Sequence, residues 1–113
     1  MLKKNVEGGV VCGNLFFTSG NCNEAETLEK EIRVSLDELG EFIKKQGASF
    51  ADVVKATVYL RDLNDRERCL NKIWKEYFPE NPPARTCVEA GLGKCRVEIE
   101  FVVALPQQGN ANG

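Results

Sequence analysis

From Arg96 to Ala104 the chain alternates in a way that dictates a sheet: Val97, Ile99, Phe101 and Val103 point one way, and Arg96, Glu98, Glu100 and Val102 the other. One face of such a strand has to be covered. The covering elements stand in the same sequence. Leu28, Ile32, Leu36, Leu39 and Ile43 recur at helical spacing and form one apolar stripe, with Glu29, Lys30, Arg33, Asp37, Glu41 and Lys44 on the other side. Leu70, Ile73, Trp74 and Tyr77 form a second stripe, which Pro79 and the Pro82-Pro83 pair bring to an end. Two amphipathic helices packed on one face of a sheet make an α+β plan.

The other strands fill in the order. Gly9 to Cys12 and Leu15 to Ser19 are short β-type runs about Gly13-Asn14, a loop suited to a tight hairpin. Val53 to Leu60 is the strongest strand, rich in β-branched residues, and Thr86 to Ala90 is a further one. The predicted order is β-β-α-β-α-β-β. Asn23 with Glu26, and Asn64 with Glu67, match the pattern of a helix cap and its reciprocal partner. Gly47 is placed to end the first helix, and Ser49 to Asp52 forms a cap-like turn. Residues 1–105 read as one domain without repeat or linker, and 106–113 as a polar, glycine-bearing tail expected to fray.

The far side of the sheet poses a question. Val54, Ala56, Val58 and Leu60 alternate with Val53, Lys55, Thr57 and Tyr59, so both faces of that strand are partly apolar. The face carrying Val53, Thr57, Tyr59 and Glu100 is either buried against another subunit or left wet, as antiparallel sheets allow. The pattern alone does not choose.

Composition narrows the chemistry. A chain of 113 residues, 42% hydrophobic and 28% charged, has the makings of one soluble core. A net charge of −2 gives no basic excess for a phosphate backbone, so a nucleic-acid partner is not expected. No apolar run approaches the roughly 20 residues of a membrane helix. The start, Met1-Leu2-Lys3-Lys4-Asn5, lacks the apolar stretch of a secretory signal. The 5 cysteines are odd in number and form no CxxC pair, so free thiols in a reducing cytoplasm are expected. There is no histidine at all. That removes Ser-His and Cys-His nucleophilic systems and the usual histidine-bearing metal sites. Carboxylates, Arg, Lys, Cys, hydroxyls, backbone groups and water remain.

Several segments together resemble the reactive intermediate deaminase (Rid) family, also called YjgF. They are Gly13-Asn14-Leu15-Phe16-Phe17-Thr18-Ser19-Gly20, the run from Asp52 to Asp62, Asn71 with Tyr77-Phe78, Pro83-Ala84-Arg85-Thr86-Cys87-Val88, and Val97-Glu98-Ile99-Glu100. They keep the family's order from about Gly9 to Ala104. The resemblance implies a chorismate-mutase-like fold and a homotrimer with active sites in clefts between subunits. It also implies hydrolysis of 2-aminoacrylate-type imines and enamines, small carboxylated substrates, to 2-oxo acids and ammonia, with no metal and no cofactor.

The residues can be weighed on their own chemistry. A planar guanidinium such as Arg85 fixes a carboxylate with two parallel hydrogen bonds, although most arginines are simply surface residues. Cys87, two positions on, faces the same way and either lines the pocket or packs in the core; nothing beside it in sequence favours a thiolate. Glu98 and Glu100 share a strand face. The family position gives Glu98 the water that attacks the imine, and Glu100 a trimer-facing or structural role. Ser19 and Gly20 end a strand where a hydroxyl and an amide can meet substrate, and the Asn71 amide can hold a ligand or a loop. For Ser19 and Asn71 a purely structural hydrogen bond competes with contact to substrate.

There are departures from the family pattern. Lys4-Asn5-Val6 stands where deaminating members carry Gly-Pro-Tyr, Asn21 where Gln is usual, and Leu92-Gly93 where Leu-Pro is usual. These changes leave Arg85 and Glu98 in place and alter the expected pocket shape. Two other functions stand beside deamination: a non-catalytic trimeric module that captures small carboxylates or partner proteins, and an endoribonuclease or translation inhibitor.

Overall fold

A computed structural model of the chain describes residues 3–106. In chain order the elements are β1 (Lys3–Val6), β2 (Gly9–Cys12), β3 (Leu15–Thr18), α1 (Leu28–Lys45), β4 (Val53–Leu60), α2 (Asn71–Tyr77), β5 (Ala84–Glu89) and β6 (Val97–Ala104). The strands form one sheet in the order β1-β2-β3-β6-β4-β5. All pairings are antiparallel except that of β4 with β5, which the crossover through α2 makes parallel. The α+β plan read from the sequence is thus realised as a mixed sheet. Among the described residues, no helix is long and apolar enough to cross a membrane.

Alternation and periodicity build the core as expected. Val97, Ile99, Phe101 and Val103 of β6 are buried, and Ile32, Leu36, Leu39 and Ile43 of α1 are fully inaccessible. They join Phe16, Ala56, Val58, Leu60, Leu70, Ile73 and Trp74 in one cluster. At about 25 cal/mol per Å² of apolar surface, each fully buried Leu or Ile contributes roughly 1.5–3 kcal/mol. Two polar contacts tie the helices together. Arg33 donates to both carboxylate oxygens of Glu76, and the Tyr77 hydroxyl donates to Asp37 at 2.7 Å.

Four expectations are corrected. The sheet opens with a strand not foreseen, β1. Its sequence Lys-Lys-Asn-Val has no apolar alternation because it is an edge strand with Lys3, Lys4 and Asn5 exposed. Its ladder to β2 holds it, about a turn in which Gly8 takes φ of 87°.

Asn23 does not cap α1. Thr27 does, its hydroxyl accepting the Lys30 N–H at 3.1 Å. Residue 23 lies too early, because Asn21 is still bridged to Ile99 of β6. The Asn23 amide instead donates to Glu38 at 3.1 Å. Gly47 ends α1 as expected, with φ of 80°.

Asn64 likewise caps nothing. A wide π-helical turn, Arg66–Leu70, precedes α2, and the Asn71 N–H reaches back to the Arg66 carbonyl. By contrast, Ser49 and Asp52 form the reciprocal cap of a short 3₁₀ turn as read.

The fourth correction concerns Val53. A bulge lies between Val53 and Lys55, so Val53 turns into the core and Val54 stands out, 48% exposed. The tail predicted from Pro106 onward lies, apart from Pro106 itself, outside the described residues.

Candidate functional site

The sheet register sorts the candidate residues into two groups. Residues directly paired across neighbouring strands share a face. Arg85 pairs with Ala56 and Cys87 with Val58, and these core residues pair in turn with Phe101 and Ile99. Arg85 and Cys87 therefore point to the helix side. Glu98 pairs with Tyr59 and Glu100 with Thr57, whose partners on β5 are Val88 and Thr86. The two glutamates point to the open side. Within one chain the sheet separates Arg85 from Glu98.

On the helix side, Arg85 stands on the outermost strand, where α2 only half covers it. Its Nη2 donates to the Asn71 amide oxygen at 2.7 Å, and its guanidinium lies 5.2 Å from the centre of the Trp74 ring. Asn71 faces Arg85 because the π turn sets the phase of α2, a device found often at functional sites. Burial holds the guanidinium below its ordinary value; the thiol of Cys87 opposes this and the charge of Arg66 adds to it. Burial also pushes the Cys87 thiol up, against the smaller pull of Arg85 and Arg66. Cys87 is thus kept as a neutral wall rather than a thiolate. Asn71 is the one hydrogen-bond partner of Arg85 among the described residues, leaving the rest of the guanidinium fork available to an anion.

On the open side, the ladder between β3 and β6 breaks at a defined point. Phe101 N–H, which would continue it, is taken by the buried Thr18 hydroxyl at 2.8 Å. The chain then swings away through Ser19 and Gly20 and returns at Asn21, which exchanges both backbone hydrogen bonds with Ile99, at 2.8 and 3.0 Å. Ser19 is exposed, its amide held by the Gly8 carbonyl at 2.9 Å. The space over Gly20 is filled by the Glu98 carboxylate: a β-carbon there would overlap Glu98 Oε2. Gly20 and Glu98 are therefore a matched pair.

The start of β6 is anchored two residues before Glu98. The fully buried Glu31 carboxylate accepts the Arg96 N–H at 2.8 Å and Arg96 Nη1 at 2.5 Å. Beside Glu98, the charge of Glu100 holds the Tyr59 phenol above its ordinary value, with burial and Glu98 acting in the same direction.

The residues chosen from sequence thus fall into Arg85, Asn71 and Cys87 on one side, and Ser19, Gly20 and Glu98 on the other. One contributor was missed. Trp74 was read only as part of the core stripe, yet it also carries the Arg85 guanidinium. Its position three residues after Asn71, on the same helix face, is the signal that points to it.

Comparison with known proteins identifies the family. The family model described as endoribonuclease L-PSP matches residues 3–105. A human 2-iminobutanoate/2-iminopropanoate deaminase is 44% identical over 65% of this chain, a match that spans 54% of the human protein. An Escherichia coli K12 protein named as a reactive intermediate deaminase is 33% identical, covering 83% of this chain and 81% of its own length. A YjgF-family protein of Neisseria meningitidis superimposes with a TM-score of 0.83 at 30% identity, covering 89% of this chain and 87% of the other. The chain belongs to the endoribonuclease L-PSP family, the YjgF or Rid proteins.

Proposed function

We propose that the chain hydrolyses reactive 2-imino acids and their enamine tautomers to 2-oxo acids and ammonia, as a homotrimer whose sites lie between protomers. The observation that carries this reading is the placement of Arg85 and Glu98 on opposite faces of one sheet. Each half-site is well formed, and neither is complete. A neighbouring copy that lays its open face against the rim holding Arg85 joins an anion clamp to a carboxylate base. The open face has the apolar content for such a contact, with Phe17 and Val54 exposed at 41% and 48%. The deaminase names of the relatives support the same chemistry.

In this site Arg85 of one protomer grips the substrate carboxylate, held by Asn71 and backed by Trp74. Glu98 of the neighbour takes a proton from a water as its oxygen adds to the imine carbon. The C=N π pair moves to nitrogen, which takes the proton that Glu98 has just received. The carbinolamine hydroxyl then gives its proton to Glu98, which passes it to nitrogen; the C=O bond forms as the C–N bond breaks, and ammonia leaves behind a 2-oxo acid. Imines hydrolyse readily in water, so positioning and a placed base suffice.

The test is to generate 2-aminoacrylate in situ with the purified chain and follow 2-oxo acid formation above the spontaneous rate. Carboxylate binding with no acceleration would sink deamination in favour of a capture module. Salt-sensitive RNA binding with RNA cleavage and no deamination would favour the endoribonuclease named in the family description.

A further inference from the structure

Beside Arg85 lies a cavity of about 380 Å³ between α2 and the turn that leads into β5. Trp74, Phe78, Pro82 and Pro83 wall it, and Arg85 and Asn71 stand at its rim. Cavities that hold small organic ligands begin at about 300 Å³, so a three-carbon acid would leave most of this one empty. The walls are stiff. Asn81 sits in the left-handed region at φ of 50°, and the two prolines after it have fixed φ. On the opposite wall, Trp74 and Phe78 pack against each other with ring centres 4.9 Å apart. A rigid apolar pocket with a guanidinium at its rim is complementary to an acid carrying a bulky apolar group.

We infer that this cavity receives the side chain of the substrate, and that the chain prefers aromatic 2-imino acids over the propanoate and butanoate types in the names of its relatives. The inference rests on Arg85 as the carboxylate clamp. With the carboxylate on the free edge of the guanidinium, a benzyl-type side chain enters between Trp74 and the Pro82–Pro83 wall. Lys75, also on the lining, keeps the mouth cationic.

The experiment uses the only tryptophan of the chain, Trp74, as its reporter. Propanoate and 3-phenylpropanoate carry the same carboxylate and no reactive bond. Each is titrated into the full chain while Trp74 fluorescence is followed. The expected result is binding of 3-phenylpropanoate at least about tenfold tighter than propanoate, equivalent to about 1.4 kcal/mol and within reach of partial ring burial. Both affinities should fall in Arg85→Lys. Pro82→Phe, which puts a bulky ring on the cavity wall at an exposed position, should remove the phenyl advantage. Equal, Arg85-dependent binding of the two acids would overturn the inference and leave the clamp standing. Persistence of the advantage in Pro82→Phe would also overturn it. Binding of neither acid, or binding indifferent to Arg85→Lys, would overturn the clamp as well.

Discussion

Arg85 and Glu98 are held on opposite faces of the same sheet, the first in register with Ala56 of β4 and the second with Tyr59. No rotamer of either side chain carries it through the sheet, so a site that uses both has to draw them from different copies. This makes a complementation test possible. Arg85→Lys and Glu98→Gln should each be inactive alone. When equal amounts of the two variants are unfolded together and refolded, the mixture should regain about a quarter of wild-type activity if the ring is the proposed trimer, because about three-quarters of the rings are mixed and each mixed ring has one of its three junctions intact. Activity that stays at the level of the separate variants would show that the site is not shared.

The neighbouring glutamates should separate by role. Glu98→Gln keeps the size of the side chain and removes the base. It should lower turnover by about two to four orders of magnitude with little change in carboxylate binding. Glu100→Gln should instead disturb assembly or stability, read by light scattering and thermal melting. It should also bring the Tyr59 titration, followed by ultraviolet absorbance, down toward that of a free phenol, since the Glu100 charge is the leading cause of its elevation. An inactive but intact Glu100 variant beside a normal Glu98 variant would reverse the assignment.

Gly20→Ala tests the same carboxylate without touching it. The new methyl group would occupy the place of Glu98 Oε2, and the flexible carboxylate is what yields. The expected outcome is a fall in kcat approaching that of Glu98→Gln, with a melting temperature within a few degrees of wild type. A fully active Gly20→Ala chain would mean that the observed position of Glu98 is not the working one.

The linkage of the two helices predicts an alkaline transition. Burial, reinforced by the hydrogen bond to Asp37, pushes the Tyr77 phenol up to about 12, above the roughly 10 of an unfolded tyrosine. Between these values the unfolded chain has lost the proton that the folded chain keeps, so stability falls as pH rises. The contribution is whole below about pH 10 and is lost by about pH 12. The melting-temperature advantage of wild type over Tyr77→Phe should therefore shrink across that window; a constant gap would disprove the linkage.

How much of this was written in the chain differs from element to element. The stripe Ile32, Leu36, Leu39 and Ile43 and the alternation of β6 were fully legible, because a buried face states its own period. Val53 was misplaced because the bulge before Lys55 arises from the pairing of β4 with β6, which no property of Val53 announces. The edge strand β1 has no buried face and so no pattern to read. For the candidate site the sequence offers residues but not their geometry. Arg85 meets Asn71 only because a parallel crossover sets β5 against β4 and a π turn fixes the phase of α2.

The rims of the sheet have a consequence for aggregation. An outermost strand offers unpaired backbone groups on which a second chain can grow without limit. Here one rim, β1, opens with two exposed lysines, so a second copy approaching edge to edge meets its own charge. The other, β5, is entered through Pro82-Pro83, which supplies no N–H donors to template a longer ladder. Growth along the hydrogen-bonding direction is discouraged at both ends, which leaves the flat of the sheet as the face on which the proposed ring of copies would close and stop.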